Sequence, residues 1–230
     1  MTASQIAAAV KHLKPRFLEG LAAPDVGLIL SAATRHRFVA NSVVVNQDTV
    51  ASHLFLLLSG RARYFLMSPE GQKSLLLWLP PGEIFGGAAF LSTPQHYLVS
   101  TETVRDSSVL MWDRATIRGL AERYPRLVEN TLLITFDYLV AYRAIHISMT
   151  THSAQQRLAR VLASLASGIG HKIPAGVELD VRNEELASEA NVTPFTASRL
   201  LRQWHRQGLV IKTRGKIIVR SPEQLSLCQL

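Results

Sequence analysis

Between Arg199 and Arg220 the chain places seven cations (Arg199, Arg202, Arg206, Lys212, Arg214, Lys216 and Arg220) and no acid. Just upstream, among small apolar residues, stand Thr193, Phe195, Thr196 and Ser198. Cations interleaved with hydroxyls break no bonds by themselves. They bind anions, and double-stranded DNA above all, because each phosphate they neutralise releases counterions. The stretch "GEIFGGAAFLSTPQHYLVS" (82–100) raises a second question. Glycines at such spacing let a backbone close around a phosphate, yet this stretch contains no Lys or Arg. An anion buried there without a countercharge would be costly, although backbone N–H groups can offset part of that.

The basic cluster needs a scaffold, and "NEELASEANVTPFTASRLLRQWHRQG" (183–208) supplies one. A first helix is expected over about Asn183–Ala190. Asn191 can take the left-handed conformation of a sharp turn. Thr193 is then an N-cap, with Pro194 at the first helical position, where its missing N–H costs nothing. Gly208 ends the second helix. Leu186, Ala187, Ala190, Val192, Ala197 and Leu200 are the internal positions of a helix-turn-helix. The second helix then presents Thr193, Phe195, Thr196, Ser198, Arg199 and Arg202 outward, a set suited to a major groove and its flanking phosphates. "LVIKTRGKIIV" follows, two β-branched runs around a cationic turn. It reads as a wing whose Lys212, Arg214 and Lys216 reach phosphates.

From about Phe38 to Trp112 the texture is β, with short apolar runs, a turn at 68–71 and further turns every ten or so residues. Helices are expected over Ala3–Glu19 and Asp25–Thr34 beside this roll. Arg126–Ile147 is one long helix with 14 apolar residues of 22. Leu127, Thr131, Ile134, Tyr138, Ala141 and Ile145 follow coiled-coil spacing. Val128, Leu132, Phe136 and Leu139 lie on an adjacent face. So wide an apolar surface calls for two partners, the β domain and a second subunit, and charging Ile134 or Ile145 is expected to give monomers. "SMTTHS" (148–153) reads as a hinge with an N-cap for a helix over 154–168.

The bulk properties agree. At 230 residues with 47% hydrophobic content the chain can build two modest domains, and a net charge of +8 suits an anionic partner. The single cysteine, Cys228, excludes an intrachain disulfide and a four-cysteine cluster. The N-terminus lacks a signal-peptide core, and the longest uncharged run, 84–101, is broken by Gly and Pro, so no membrane span and a cytoplasmic location are expected. There is no P-loop, no paired metal ligands at helical spacing and no nucleophile signature, so no enzymatic activity, metal or cofactor is expected. Haem would need an axial ligand from His53, His96 or His146, and isolated histidines of this kind read as surface or satisfied core residues.

Taken together, the chain resembles the cyclic-AMP receptor protein/fumarate–nitrate regulator (CRP/FNR) family of bacterial transcription factors. Gly60, Gly71, Gly82 and Gly86 match the family's β-roll turns, 126–147 its dimerisation helix, and "NVTPFTASRLLRQWHRQGLV" its recognition helix. The resemblance implies an α+β fold with an N-terminal cyclic-nucleotide-binding-like β-roll or jelly roll (1–125), a dimerisation helix and hinge (126–150) and a C-terminal winged helix-turn-helix (151–230). It implies a homodimer on a palindromic operator, Arg199 reading a guanine, and contact with RNA polymerase, which some relatives touch at the loop matching Ser167–Gly176. It also shows departures. The positions of the family's ribose-binding Glu and phosphate-binding Arg fall on Gly87 and Tyr97, Tyr142 and Arg143 replace adenine-contacting hydroxyls, and Pro194 and Phe195 replace polar base readers. A cyclic nucleotide is therefore disfavoured. The candidate pocket for another effector comprises Phe85, Gly86, Gly87, Tyr97, Tyr138 and Tyr142. The competing reading is a small-ligand sensor or regulatory subunit without DNA binding, which leaves the helix-turn-helix and wing unexplained.

Overall fold

A computed structural model describes residues 3–71, 73–168, 170–213, 215–222 and 225. The chain divides into two compact units, the first reaching Tyr142 and the second comprising Arg143 onward together with Lys73–Leu75.

The first unit is built on a sheet of β1 (Thr34–Phe38), β2 (Val43–Val45), β3 (His53–Met67), β4 (Lys73–Leu79), β5 (Ile84–Phe85) and β6 (Ser100–Asp113). The order is β1-β6-β3-β4, with β2 on β6 and β5 on β3. The run His53–Ser59 is apolar at nearly every position because the strand is buried on both faces. Successive side chains point to opposite sides, so Leu54, Leu56 and Leu58 join Phe17, Ile29, Trp112 and Ile117 in one core. Phe55 and Leu57 join Tyr64, Leu79, Phe85 and Tyr97 in a second core inside the roll.

Helices α1 (Ala3–Leu13) and α2 (Ala23–Ser31) precede the sheet, and α3 (Arg114–Arg123) and α4 (Arg126–Thr151) follow it. The first expected helix stops at Leu13, since Pro15 precedes a separate 3-10 turn at Arg16–Leu18. The second stops at Ser31, and Thr34 already opens β1. Asp113 caps α3 by accepting the Thr116 N–H at 2.9 Å. Asn130, buried on α4, donates to the Phe17 and Glu19 carbonyls at 3.0 and 2.9 Å and so fixes the helix to the 3-10 turn.

Two expectations about this unit need correction. Gly60 is not a turn: it sits inside the continuous β3, where the pairing with β6 is irregular. Its φ of 92° and a would-be Cβ that runs into Ser107 require glycine there. The heptad seam also faces home. Leu127, Thr131 and Ile134 are buried, Leu127 and Ile134 in the core that holds Trp112, with Tyr138 packed beside it. The exposed face carries Leu132, Leu133, Phe136, Leu139 and Val140 instead. Ile134 therefore belongs to the domain's own core, and charging it tests the fold rather than the dimer.

The second unit contains α5 (Ala154–Gly168), β7 (His171–Ile173), β8 (Gly176–Leu179), α6 (Asn183–Glu189), α7 (Pro194–Arg206), β9 (Val210–Thr213) and β10 (Lys216–Val219), with strand order β7-β8-β10-β9. The expected hinge shrinks to His152 and Ser153, because α4 runs on to Thr151. Ser153 is the N-cap: its hydroxyl accepts the Gln156 N–H at 3.2 Å, and the Gln156 side chain accepts the Ser153 N–H at 2.8 Å. The segment read as a loop at 167–176 includes strand β7, hydrogen-bonded to β8 as a hairpin. Among the described residues no helix is long and apolar enough to cross a membrane.

Candidate DNA-recognition surface and effector pocket

The helix pair forms as its local signals require. Asn191 takes φ 48° at the turn, and the Val192 N–H returns to the Ala187 carbonyl at 2.9 Å. Thr193 caps α7 by accepting the Thr196 N–H at 3.1 Å, with Pro194 at the first helical position. Leu186, Ala187, Ala190, Ala197 and Leu200 are buried, with Leu201 and Trp204 beside them, and Val192 is half-buried. Glu185 accepts the Arg182 N–H at 2.9 Å at the start of α6, where the helix dipole favours a carboxylate.

Sequence reasoning missed Arg157 on α5. Its guanidinium donates to the Ala190 carbonyl at 2.9 Å and the Asn191 carbonyl at 3.1 Å, so it holds the turn from the side. It also donates to the His152 carbonyl at 2.8 Å. Its two partners in the turn lie more than thirty positions away, and no local spacing signals them.

The predicted DNA residues divide into two groups. Phe195, Arg199 and Arg202 form an exposed stripe at i, i+4 and i+7 along α7. Thr193 is exposed beside them, and Lys212 is exposed on β9. Ser198 instead turns inward, accepting the Asn183 side-chain amide at 2.9 Å, and links the two helices. Thr196 is half-buried, its hydroxyl 2.9 Å from that of Thr193. Lys216 pairs with Glu178 across the wing at 2.7 Å, and that hydrogen bond holds its pKa above the usual lysine value. Arg214 lies outside the described residues.

The six candidate effector residues all line one cavity of about 600 Å³ in the first unit. Gly86 begins its wall in the left-handed conformation, φ 82°, where a Cβ would meet the His53 carbonyl and the Tyr97 ring. Tyr97 is tied to the strand. Its hydroxyl accepts the His53 N–H and donates to the His53 carbonyl, both at 2.9 Å. The Tyr138 hydroxyl donates to Glu83 at 2.8 Å, and the Tyr64 ring meets Tyr138 edge-on at 5.6 Å. Burial drives the pKa of both hydroxyls far up, so each stays a neutral donor. Among the described lining residues none is Lys, Arg, His, Asp or Glu, and Arg143 is not part of the wall.

A β-roll with a cavity in the first unit and a winged helix-turn-helix with an exposed cationic stripe in the second are the parts of a DNA-binding regulator. Comparison with known proteins agrees. Residues 35–124 match the cyclic nucleotide-binding domain and residues 156–228 the Crp-like helix-turn-helix domain. The chain is 27% identical to the cyclic AMP receptor protein of Thermus thermophilus, over 87% of this chain and 90% of that one. It is 22% identical to the nitrogen fixation regulation protein FixK of Azorhizobium caulinodans, over 86% and 80%. The c-di-GMP-responsive regulator CLP of Xanthomonas campestris superposes with a TM-score of 0.80 at 17% identity, over 87% of this chain and all of that one. The chain thus belongs to the CRP/FNR family of DNA-binding transcription regulators.

Proposed function

We propose that the protein regulates transcription as a homodimer on a two-fold symmetric operator, under control of an effector other than a cyclic nucleotide. The observation that carries the dimer is the α4 face. Leu132, Phe136 and Leu139 are each more than 60% exposed, with Leu133 and Val140 beside them. A contiguous apolar patch of this kind marks an association site, and a second copy of the same helix covers it symmetrically. Two recognition helices then meet two half-sites, with Arg199 on a guanine and Lys212 and Arg202 on phosphates. RNA polymerase is the further partner, the bacterial cytoplasm the place of action, and the protein itself performs no catalysis.

The name of the T. thermophilus relative points to cyclic AMP. Here the wall argues otherwise, since Gly87 and Tyr97 offer neither the carboxylate nor the cation such a ligand needs. The test is a mobility shift on DNA selected from random sequence, repeated across salt concentrations. Affinity that falls as salt rises, with a preferred palindrome, supports the reading. The absence of sequence preference at every salt would sink it and favour the ligand-sensing subunit.

A further inference from the structure

We infer that the cavity takes an uncharged, largely apolar molecule; this rests on reading the cavity as the effector site. Its volume of about 600 Å³ suits a small organic ligand. Leu77, Phe85, Val99 and Leu132 give it apolar walls, and no described lining residue carries a charge. Most of its hydroxyls are engaged within the protein: Tyr97 with His53, Tyr138 with Glu83, and Thr131 and Thr135 with backbone carbonyls at 2.7 and 2.8 Å. Thr101 and Tyr142 remain, with hydroxyls that hold no hydrogen bond among the described residues. A carboxylate or phosphate inside would lose its hydration and find no countercharge. An apolar body gains from leaving water at every wall, and one neutral polar end can meet Tyr142.

The probe is N-phenyl-1-naphthylamine, a neutral fluorophore, titrated into the full chain. Its emission should rise saturably and be displaced by 1-decanol, but not by decanoate or cyclic AMP at equal concentration. Ala88→Phe fills the cavity from its wall and should weaken the probe at least tenfold; Val99→Trp repeats the test from the segment just before β6 if Ala88→Phe fails to fold. Displacement by decanoate or cyclic AMP as strong as by 1-decanol overturns the assignment. So does undiminished binding in a folded cavity-filling variant. Operator binding is scored separately, so probe binding without DNA binding would leave the ligand class standing and refute the regulator.

The recognition helix carries a second inference independently. Phe195 is 72% exposed in the first turn of α7, on the same stripe as Arg199 and Arg202. The apolar feature that bases present in the major groove is the thymine methyl group. We propose that Phe195 reads a thymine in each half-site. Four helical residues span about 6 Å, so that thymine lies within about two base-pair steps of the guanine read by Arg199.

Deoxyuridine tests this, because it removes the methyl and nothing else. In the operator selected from random DNA, uridine at one thymine per half-site should weaken binding about fourfold for each site changed. Phe195→Ala should bind thymine and uridine versions equally. Uridine tolerated at every thymine overturns the reading, as does a thymine preference that survives in Phe195→Ala. If Phe195→Ala leaves DNA affinity unchanged on every sequence, Phe195 serves another surface and the assignment falls.

Discussion

At the scale of single residues, the wing shows how a partner distant in sequence changes a role. Lys216 was expected to reach a phosphate, but it is held by Glu178, 38 positions earlier. Both side chains are partly exposed, so the pair itself adds little to stability. Its effect is on charge: the carboxylate competes with any phosphate for the same ammonium. Glu178→Gln should therefore raise DNA affinity and steepen the plot of log K against log salt concentration; a flatter or unchanged slope would show that Lys216 makes no phosphate contact. Arg199 is free of such competition in the described contacts, and Arg199→Ala should cost about 1–3 kcal/mol at one base pair and relax preference there. Equal weakening on all sequences would make it a phosphate contact. Asp113 gives a pH test at the α3 cap. The Thr116 N–H and hydroxyl hold its pKa below the usual value, so the cap stabilises the fold at neutral pH and is lost as pH falls through the folded pKa. Asp113→Ala should cost about 1 kcal/mol at neutral pH, and the difference in unfolding temperature should close in acid.

At the scale of elements, the helix-turn-helix was legible because its signals are local. Asn191, Thr193, Pro194 and Gly208 each dictate backbone within a turn, and φ values of 48° at Asn191 and 74° at Gly208 are what those residues permit. The six cavity residues were legible for a related reason, since the glycines and aromatics mark wall positions along one stretch and one helix. What was not legible depends on pairing across the sheet. Gly60 reads as a turn until β6 is placed opposite it, and then it is a point of shifted pairing in an unbroken strand. Gly60→Ala should destabilise by more than about 1 kcal/mol, as measured by denaturant midpoint. The faces of α4 likewise depend on docking: the heptad spacing is real, but the roll claims the seam. Leu132→Glu together with Phe136→Glu should give a folded monomer by light scattering, whereas Ile134→Glu should unfold the first unit because it buries a charge. Dimers persisting in the double variant would remove α4 from the interface.

At the scale of the whole molecule, α4 belongs to both units, passing from the first to the second between Tyr142 and Arg143. Its Leu132, Tyr138 and Tyr142 also line the cavity. A ligand that fills the cavity therefore touches the element that carries the proposed dimer face and leads to the DNA-binding unit. A ligand shifts the DNA-bound state only by its difference in affinity between the bound and free forms. Linkage then makes the effect reciprocal: if a saturating neutral ligand changes operator affinity by some factor, saturating operator must change ligand affinity by the same factor. Titrating N-phenyl-1-naphthylamine with and without the selected operator, and the operator with and without the probe, measures both sides of that cycle. Equal factors different from one would establish the cavity as a control site. Factors of one on both sides, with each ligand still bound, would leave a regulator whose cavity does not control its DNA, and output would then follow the protein's own abundance.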